Sequence, residues 1–166
     1  LTFVGEELGE AHDLSGFDSG QPVLDNWLRG FARHAQANRT GRTFVWRAAD
    51  GVVVAYFTLA AHEVVKGELP GRIGRGGPDR VPAALLARLA LDRRLQGQGL
   101  GARLLVDALG RIIEASRRVA VRVVVVDAID DRAAAFYRQF GFVSIPDHPH
   151  RLYQKMSDIE AAHSPK

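Results

Sequence analysis

Hydrophobic residues recur at three- and four-residue intervals from Val23 to Ala35: Val23, Leu24, Trp27, Leu28, Phe31, Ala32 and Ala35. That period predicts an amphipathic helix with this set on its packed face. Asp18 or Ser19 stands where a cap belongs, and Arg29 and Arg33, four apart, share the opposite, positive side. Leu1 to Leu8 reads as a short edge strand. Arg42 to Ala48 and Val52 to Glu63 are β-rich runs separated by Ala49-Asp50-Gly51. Asp-Gly supplies the positive backbone angles of a tight turn, so the two runs form an antiparallel hairpin. Between Lys66 and Pro82, the residues Gly67, Pro70, Gly71, Gly74, Gly76, Gly77, Pro78 and Pro82 predict a long loop without a regular element.

The second half changes rhythm. Ala84 to Asp92 is a short apolar run, the pattern of a buried strand, and Arg94-Leu95-Gln96-Gly97-Gln98-Gly99-Leu100-Gly101 follows as a glycine-rich turn. Leu100, Leu104, Leu105, Ala108, Leu109, Ile112 and Ile113 then keep a helical period to about Arg117. Val119 to Val126 is almost continuously β-branched, which predicts a central strand covered on both faces. Asp130 or Asp131 is placed to cap a further helix through Tyr137 and Arg138, with Gly141 as its terminator. Val143 to Ile145 and Leu152 to Met156 are two last strands around His148-Pro149-His150, and the tail from Ser157 is expected to be loosely held.

A chain of 166 residues with 46% hydrophobic and 25% charged residues suits one folded domain, here placed at residues 1–157 with a flexible tail at 158–166. The absence of cysteine excludes disulfides, thiolate metal sites and a cysteine nucleophile, and no metal site is read. No apolar run nears the roughly 20 residues that span a bilayer, and Leu1 to Glu7 lacks the basic start of a secretory signal. The expectation is a soluble cytoplasmic protein with no membrane partner. Net charge is only +3, yet Asn26 to Ala49 holds Arg29, Arg33, Arg39, Arg42 and Arg47 and no acid. Such a stretch either meets phosphates or is a solvated helix face.

The glycine-rich turn carries the chemistry. A strand that enters a turn with Gly97, Gly99 and Gly101 and leaves it as a helix exposes backbone N–H groups at the positive end of a helix dipole. Glycine lets a phosphate reach the backbone and tolerates unusual dihedrals, and Arg93 and Arg94 stand beside it. A Walker-type loop fails, because Ala102-Arg103 follows Gly101 where Lys and Ser or Thr are needed. The dinucleotide fingerprint needs a different glycine spacing. A turn that is glycine-rich for packing alone stays open.

Arg94-x-x-Gly97-x-Gly99 between strand and helix, followed by Ala133-Ala134-Ala135-Phe136-Tyr137-Arg138-Gln139-Phe140-Gly141-Phe142, resembles the two signatures of the GNAT superfamily of acetyl-CoA-dependent N-acetyltransferases. The resemblance covers roughly residues 84 to 156. It implies an α/β (α+β) fold: a mixed, mostly antiparallel sheet of six to seven strands with a splayed parallel pair, flanked by about four helices. It also implies acetyl-CoA as donor and no metal. The cofactor would be held by Leu89, Ala90 and Leu91 along the strand. Arg93, Arg94, Gln96, Gly97, Gln98, Gly99, Leu100, Gly101 and Ala102 would hold it in the turn, and Phe136 beyond.

Acetyl transfer from a thioester to an amine needs a neutral amine, a donor for the oxyanion and a proton for the departing thiolate. By the same resemblance Tyr137 is the catalytic acid; a phenol of pKa about 10 can share its proton with a thiolate of about 8.5. Asp127, Asp131, His62 and Glu63 are the acids and bases that could lie near the amine, but none has a spacing that marks it as a general base. An α-amine, with a pKa of about 7.7–8.0, needs less help than a lysine at about 10.4.

The first half narrows the resemblance. Phe17-Asp18-Ser19-Gly20, Leu24-Asp25-x-Trp27-Leu28, Arg42-Thr43-Phe44-Val45 and Tyr56-Phe57-Thr58-Leu59 are similar to the GNAT toxins of bacterial type II toxin–antitoxin systems, with Ser19 where members often have Cys. This implies acetylation of the α-amine of aminoacyl-tRNA, a block of translation, and neutralisation by a ribbon-helix-helix antitoxin. Arg29, Arg33, Arg39, Arg42, Arg72, Arg75 and Arg80 would then contact tRNA phosphates, and a homodimer is expected. The alternatives are an acetyltransferase of small amines, antibiotics or protein N-termini, and a non-catalytic member that only binds acetyl-CoA or a partner.

Overall fold

The structure is a computed structural model and describes residues 2–164. Leu1, at the head of the expected edge strand, and the last two residues of the expected tail lie outside the described residues. The strands are β1 (Val4–Glu7), β2 (Arg42–Arg47), β3 (Val53–Val65), β4 (Arg80–Leu91), β5 (Val123–Asp127), β6 (Val143–Ile145) and β7 (His148–Lys155). The helices among the described residues are α1 (Pro22–Gly30), α2 (Ala32–Ala37), α3 (Gly71–Gly74), α4 (Leu100–Ser116), α5 (Asp131–Arg138) and α6 (Met156–His163). The sheet order is β1-β2-β3-β4-β5-β7-β6, mostly antiparallel with β4–β5 as a parallel pair. The expected mixed sheet is therefore present at seven strands, with six helices rather than about four.

The chain forms two compact units. The first takes the residues up to Ala60 together with Ala87–Ala108. Here β1 and β2 pair antiparallel from Val4↔Arg47 to Glu7↔Phe44, and β2 and β3 from Arg42↔Leu59 to Arg47↔Val53, with a bulge at Trp46/Arg47. The hairpin turns as expected: Gly51 has φ +86 and its N–H donates to Ala48 O at 3.0 Å. Leu8, Leu14, Phe17, Leu28, Ala32, Val45, Val53, Tyr56 and Ala90 close one core, with Leu24 and Trp27 against it.

The expected single helix from Val23 to Ala35 is two. The chain leaves helical angles at Phe31 (φ -130, ψ -23), where α1 ends and α2 begins. Leu28 and Ala32 are fully buried, whereas Val23 is 70% exposed and Phe31 61%. Two members of the predicted packed face therefore point to solvent. Nor does Asp18 or Ser19 cap the helix: Gln21 occupies the cap and Pro22 the first helical position, where its missing N–H costs nothing.

The second unit takes Ala61–Leu86 and the chain from Leu109. Val64, Leu69, Ile73, Val81, Ala83, Val123, Val125 and Tyr153 form its core. The stretch from Lys66 to Pro82 is not the structureless loop its glycines and prolines predict. It holds a 3-10 turn at Lys66–Glu68, then α3, and β4 already starts at Arg80. Leu69 and Ile73, spaced four apart, are buried at 7% and 5% and anchor it. The parallel ladder runs from Ala83↔Val123 to Leu86↔Val126, so β5 starts only at Val123, and Val119, expected in the strand, is 72% exposed. β4 itself continues five residues past the last rung, to Leu91.

Asp130 caps α5, accepting the Ala133 N–H at 2.8 Å. Gly141 follows that helix with φ +93, as a terminator should. The expected loose tail is folded up to His163: α6 buries Met156 (4%) and Ile159 (1%), because these two apolar residues recur at helical spacing. No helix among the described residues is long and apolar enough to cross a membrane.

Two glycines separate backbone need from backbone cost. A Cβ at Gly141 would meet Gln154 Nε2 at 2.8 Å in a left-handed conformation, whereas Gly110 lies within α4 with nothing within 4 Å. Gly141→Ala is expected to lower stability by about 1–2 kcal/mol and Gly110→Ala to raise it by about 0.5–1 kcal/mol. Urea unfolding of the two variants checks both signs.

Candidate functional site

The first unit builds a loop clasp around the glycine-rich turn. β4 is followed directly by Asp92, whose N–H donates to Val54 O at 2.9 Å and whose side chain is 1% exposed. Its carboxylate accepts the Arg94 N–H (3.0 Å), Arg94 Nε (2.9 Å) and Nη2 (3.1 Å), and the Asp18 N–H (3.3 Å). Burial pushes the Asp92 carboxyl up, but the Arg94 guanidinium and the two amides outweigh it and hold the pKa below the ordinary carboxylate value. Residues 93–95 form a 3-10 turn on that cap.

Phe17 to Gly20 grips the turn from the other side. Asp18 O accepts the Arg93 N–H at 2.8 Å, and Gln96 Nε2 donates to both Ser19 O (2.9 Å) and Leu91 O (2.8 Å). Ser19 is in turn held by buried Asp25, which accepts its N–H twice at 3.1 Å and its hydroxyl at 2.6 Å. The spacing Asp18-Ser19…Asp25 thus supplies the frame of the turn rather than a helix cap. The sequence pattern suggested a cap at Asp18 or Ser19 and a family resemblance, but not this frame; an acid six residues after a serine was the available signal.

Held in this way, the turn presents its amides. Gly97 and Gly99 take φ +81 and +79, and a Cβ on either would meet nothing within 4 Å, so they are required for conformation, with open space beside them. Gly101 is an ordinary position in the first turn of α4. Among the described residues no protein acceptor takes the N–H groups of Gly97 through Gly101. Gln98 is exposed, Leu100 is buried at 6% and Ala102 is half-buried. Along β4, Leu89 is half-buried and Ala90 and Leu91 are buried. This is a nest of donors without an acid in it, fit for a pyrophosphate.

Three of the expected cofactor residues act differently from simple anion contacts. Arg94 is committed to Asp92, Gln96 to two carbonyls, and Arg93 lies 3.5 Å from Asp18 Oδ2. These groups therefore shape the turn, and the exposed remainder of the Arg93 and Arg94 guanidinium groups stands beside its backbone donors.

Phe136 and Tyr137 sit on α5 in the second unit. Tyr137 is 4% exposed, wedged edge-on between Phe136 (5.3 Å) and Phe142 (6.0 Å). Phe136 is half-buried and also meets Phe140 at 5.1 Å. No protein group among the described residues bonds the Tyr137 hydroxyl. Burial pushes its pKa well above the ordinary tyrosine value, so it stays a proton donor at neutral pH. The three acids considered as bases are all engaged within this unit: Asp127 accepts from Arg151 Nε and Nη2 (2.8 and 3.1 Å) and Asp131 pairs with His150 (2.6 Å). Glu63 holds Arg80 at 2.9 Å. Among the described residues no group of acids and histidines is arranged to hold a metal ion.

The arginines expected to meet phosphates fall into different classes. In the first unit Arg29 donates to Phe17 O (2.7 Å) and Asn26 Oδ1 (3.1 Å), and Arg33 to Gly9 O (3.1 Å) and His12 O (2.8 Å). Arg42 pairs with Glu7 at 2.9 Å. The Arg39 side chain, on a residue at φ +62, has no partner among the described residues. In the second unit Arg80 is paired, Arg72 approaches Asp158 only to 3.9 Å, and Arg75 is exposed. One cation that sequence reasoning passed over is Arg88, whose guanidinium lies 3.9 Å over the Trp27 ring.

The buried acid is the element to test. Because the folded-state pKa of Asp92 is depressed, its contribution is complete above the unfolded value of about 3.9 and is lost as pH falls through the lower folded value. Asp92→Asn, which turns an acceptor into a donor facing Arg94, is expected to cost about 1–3 kcal/mol at pH 7. The gap from the parent chain should shrink in urea melts repeated near pH 2.5.

Residues 39–144 match the family model described as an acetyltransferase (GNAT) domain. The chain is 42% identical over 156 residues to the tRNA-acetylating toxin of Mycobacterium tuberculosis, covering 93% of this chain and 92% of that one. Among solved structures it superposes on AtaT complexed with acetyl-methionyl-tRNAfMet with a TM-score of 0.89 at 27% identity, over 98% of this chain and 100% of that one. It also superposes on a tyrosine-to-phenylalanine mutant of AtaT bound to the C-terminus of the antitoxin AtaR and acetyl-CoA, with a TM-score of 0.84 at 27% identity over 98% and 99%. With the family match spanning most of the sheet and the glycine-rich turn within it, this chain belongs to the GNAT acetyltransferase family.

Proposed function

We propose that this protein is an acetyl-CoA-dependent N-acetyltransferase toxin that acetylates the α-amine of aminoacyl-tRNA in the cytoplasm and so blocks translation. The observation that carries this reading is the 42% identity, over nearly the whole length of both chains, with a tRNA-acetylating toxin. The architecture shared with AtaT, a protein solved with acetylated tRNA, supports the same acceptor. The AtaT complex with the C-terminus of its antitoxin supports neutralisation by a partner protein, of the ribbon-helix-helix class on the sequence resemblance. A homodimer belongs to the same reading.

In this proposal the amides of Gly97 to Gly101 hold the cofactor's pyrophosphate, with Gln98 and Ala102 beside it. Leu89, Ala90 and Leu91 offer the backbone of β4 beyond its last β5 rung to the pantetheine arm, and Phe136 packs against the cofactor. Acetyl-CoA supplies an acetyl group activated as a thioester. Tyr137 keeps its proton through the neutral range and gives it to the sulfur as the carbon–sulfur bond breaks and the new amide bond forms. The amine's own proton leaves to water, which suits an acceptor whose neutral form is already populated near pH 7.5. Arg29, Arg33, Arg39, Arg42, Arg72, Arg75 and Arg80 are the proposed phosphate contacts. Those with neutral or no partners add the most charge, and Arg42 and Arg80, paired with Glu7 and Glu63, the least.

Incubation with charged total tRNA and radiolabelled acetyl-CoA should label the aminoacyl ends, and label only on free amines, independent of tRNA, would sink the reading. Tyr137→Phe removes the proton and keeps the ring contacts, so kcat should fall by about 10²–10⁴-fold with thermal stability retained. Gly99→Val, strained at φ +79 and filling the open side of the turn, should instead raise KM for acetyl-CoA and weaken CoA binding by isothermal titration; a retained cooperative thermal melt separates this from a loss of fold.

A further inference from the structure

Val23 and Phe31 have the periodicity of a buried helix face, and the fold turns both outward. At Phe31 the backbone breaks between α1 and α2, so Leu28 and Ala32 are fully buried while the ring between them is 61% exposed. A single exposed phenylalanine needs no explanation by itself. This one differs in its company. Trp27, one turn earlier, has Arg88 over its ring at 3.9 Å and Tyr56 stacked with it at 6.3 Å, whereas the Phe31 ring stacks on no other ring among the described residues.

The same stretch of chain carries arginines without a carboxylate partner among the described residues. The Arg29 side chain bonds only a carbonyl and an amide oxygen, that of Arg33 only two carbonyls, and that of Arg39 has no partner among the described residues. All these acceptors are neutral, so three full positive charges remain on α1, α2 and the turn after them. Arg42 and Arg47, by contrast, are neutralised by Glu7 and Glu6. The internal hydrogen bonds of Arg29 and Arg33 also hold those guanidinium groups in place before any partner arrives, which lowers the entropy lost on binding. An apolar peptide laid on Phe31 would leave these charges facing it without counter-ions. Unpaired nucleotides satisfy both features at once, since each offers a base face for stacking and a phosphate for the cations.

We propose that Phe31 is a base-stacking residue for the unpaired nucleotides at the 3′ end of the RNA acceptor, with Arg29, Arg33 and Arg39 facing the phosphates of that strand. This rests on the RNA-acceptor reading above. In a duplex the base faces are covered by their neighbours, so an aromatic ring reaches one only where the strand is single. The aminoacyl group is esterified to such a single-stranded end, and Phe31 therefore contributes to selecting RNA whose 3′ end is unpaired.

The test uses a fluorescently labelled RNA hairpin in two forms, one with an unpaired four-nucleotide 3′ overhang and one blunt, with binding read by anisotropy at fixed salt. Phe31→Ala should weaken binding of the overhang form by roughly 5- to 100-fold, the effect of one base–aromatic stack, and leave the blunt form unchanged. Phe31→Trp should restore it. In steady-state kinetics with charged tRNA the same Ala variant should raise KM for tRNA and leave KM for acetyl-CoA where it was. Equal loss on both hairpins, or loss on neither, overturns the proposal. Acetylation of charged tRNA with an unchanged KM in Phe31→Ala removes the stacking role and leaves the activity reading intact. Overhang-specific binding through Phe31 by a chain that does not acetylate tRNA does the reverse.

Discussion

A buried carboxylate at the end of β4 organises everything that the glycine-rich turn can do. Asp92 is withdrawn from water and accepts from two backbone amides and one guanidinium, a set that compensates its burial. Those bonds bind the strand end, the Phe17–Gly20 loop and the 3-10 turn into one piece. Ser19 and Asp25 extend the network into α1, and Gln96 returns it to Leu91. A turn with two left-handed glycines has large conformational freedom when unfolded. The polar frame restricts that freedom while leaving the turn's own amides unbonded.

The same frame changes the electrostatics of the site. Arg94, which by position resembles an anion ligand, is an internal counter-ion for Asp92, while the amides of the turn stand at the positive end of the α4 dipole. Around α1 and α2 the reverse holds. Arg29 and Arg33 are spent as hydrogen-bond donors yet keep their charge, because their acceptors are carbonyl and amide oxygens. Which arginines add to the outward field therefore depends on whether each partner is a carboxylate or a neutral oxygen.

Most of the second half of the chain was legible from local pattern. The helical period of α4, the β-branched run of β5 and the Gly141 terminator each reflect a requirement within a few residues, and each forms its element, although β5 opens at Val123 rather than Val119. Errors fell where burial overrode composition. Lys66 to Pro82 has the glycines and prolines of a free loop, but Leu69 and Ile73 reach a core and draw it into ordered turns. The tail after Ser157 looks too short and polar to fold alone, and Met156 with Ile159 holds it as α6. The break at Phe31 was not legible, since Val23, Leu24, Trp27, Leu28, Phe31 and Ala32 fit an unbroken helix equally well.

By itself the sequence determined the order of elements, the glycine-rich turn between strand and helix, the tyrosine on the helix that ends at Gly141, and through these the acetyltransferase family. Those features are local: spacing and dihedral preference act over distances that the chain itself spans. Only the tertiary structure decided which polar groups remain available to a ligand. Asp18 and Asp92 lie 74 positions apart in the chain and bond to each other in the fold; no periodicity encodes such a pairing. It is set by which donors and acceptors are shut away from water together, since a buried polar group must find a partner, and whatever donors are left over form the site.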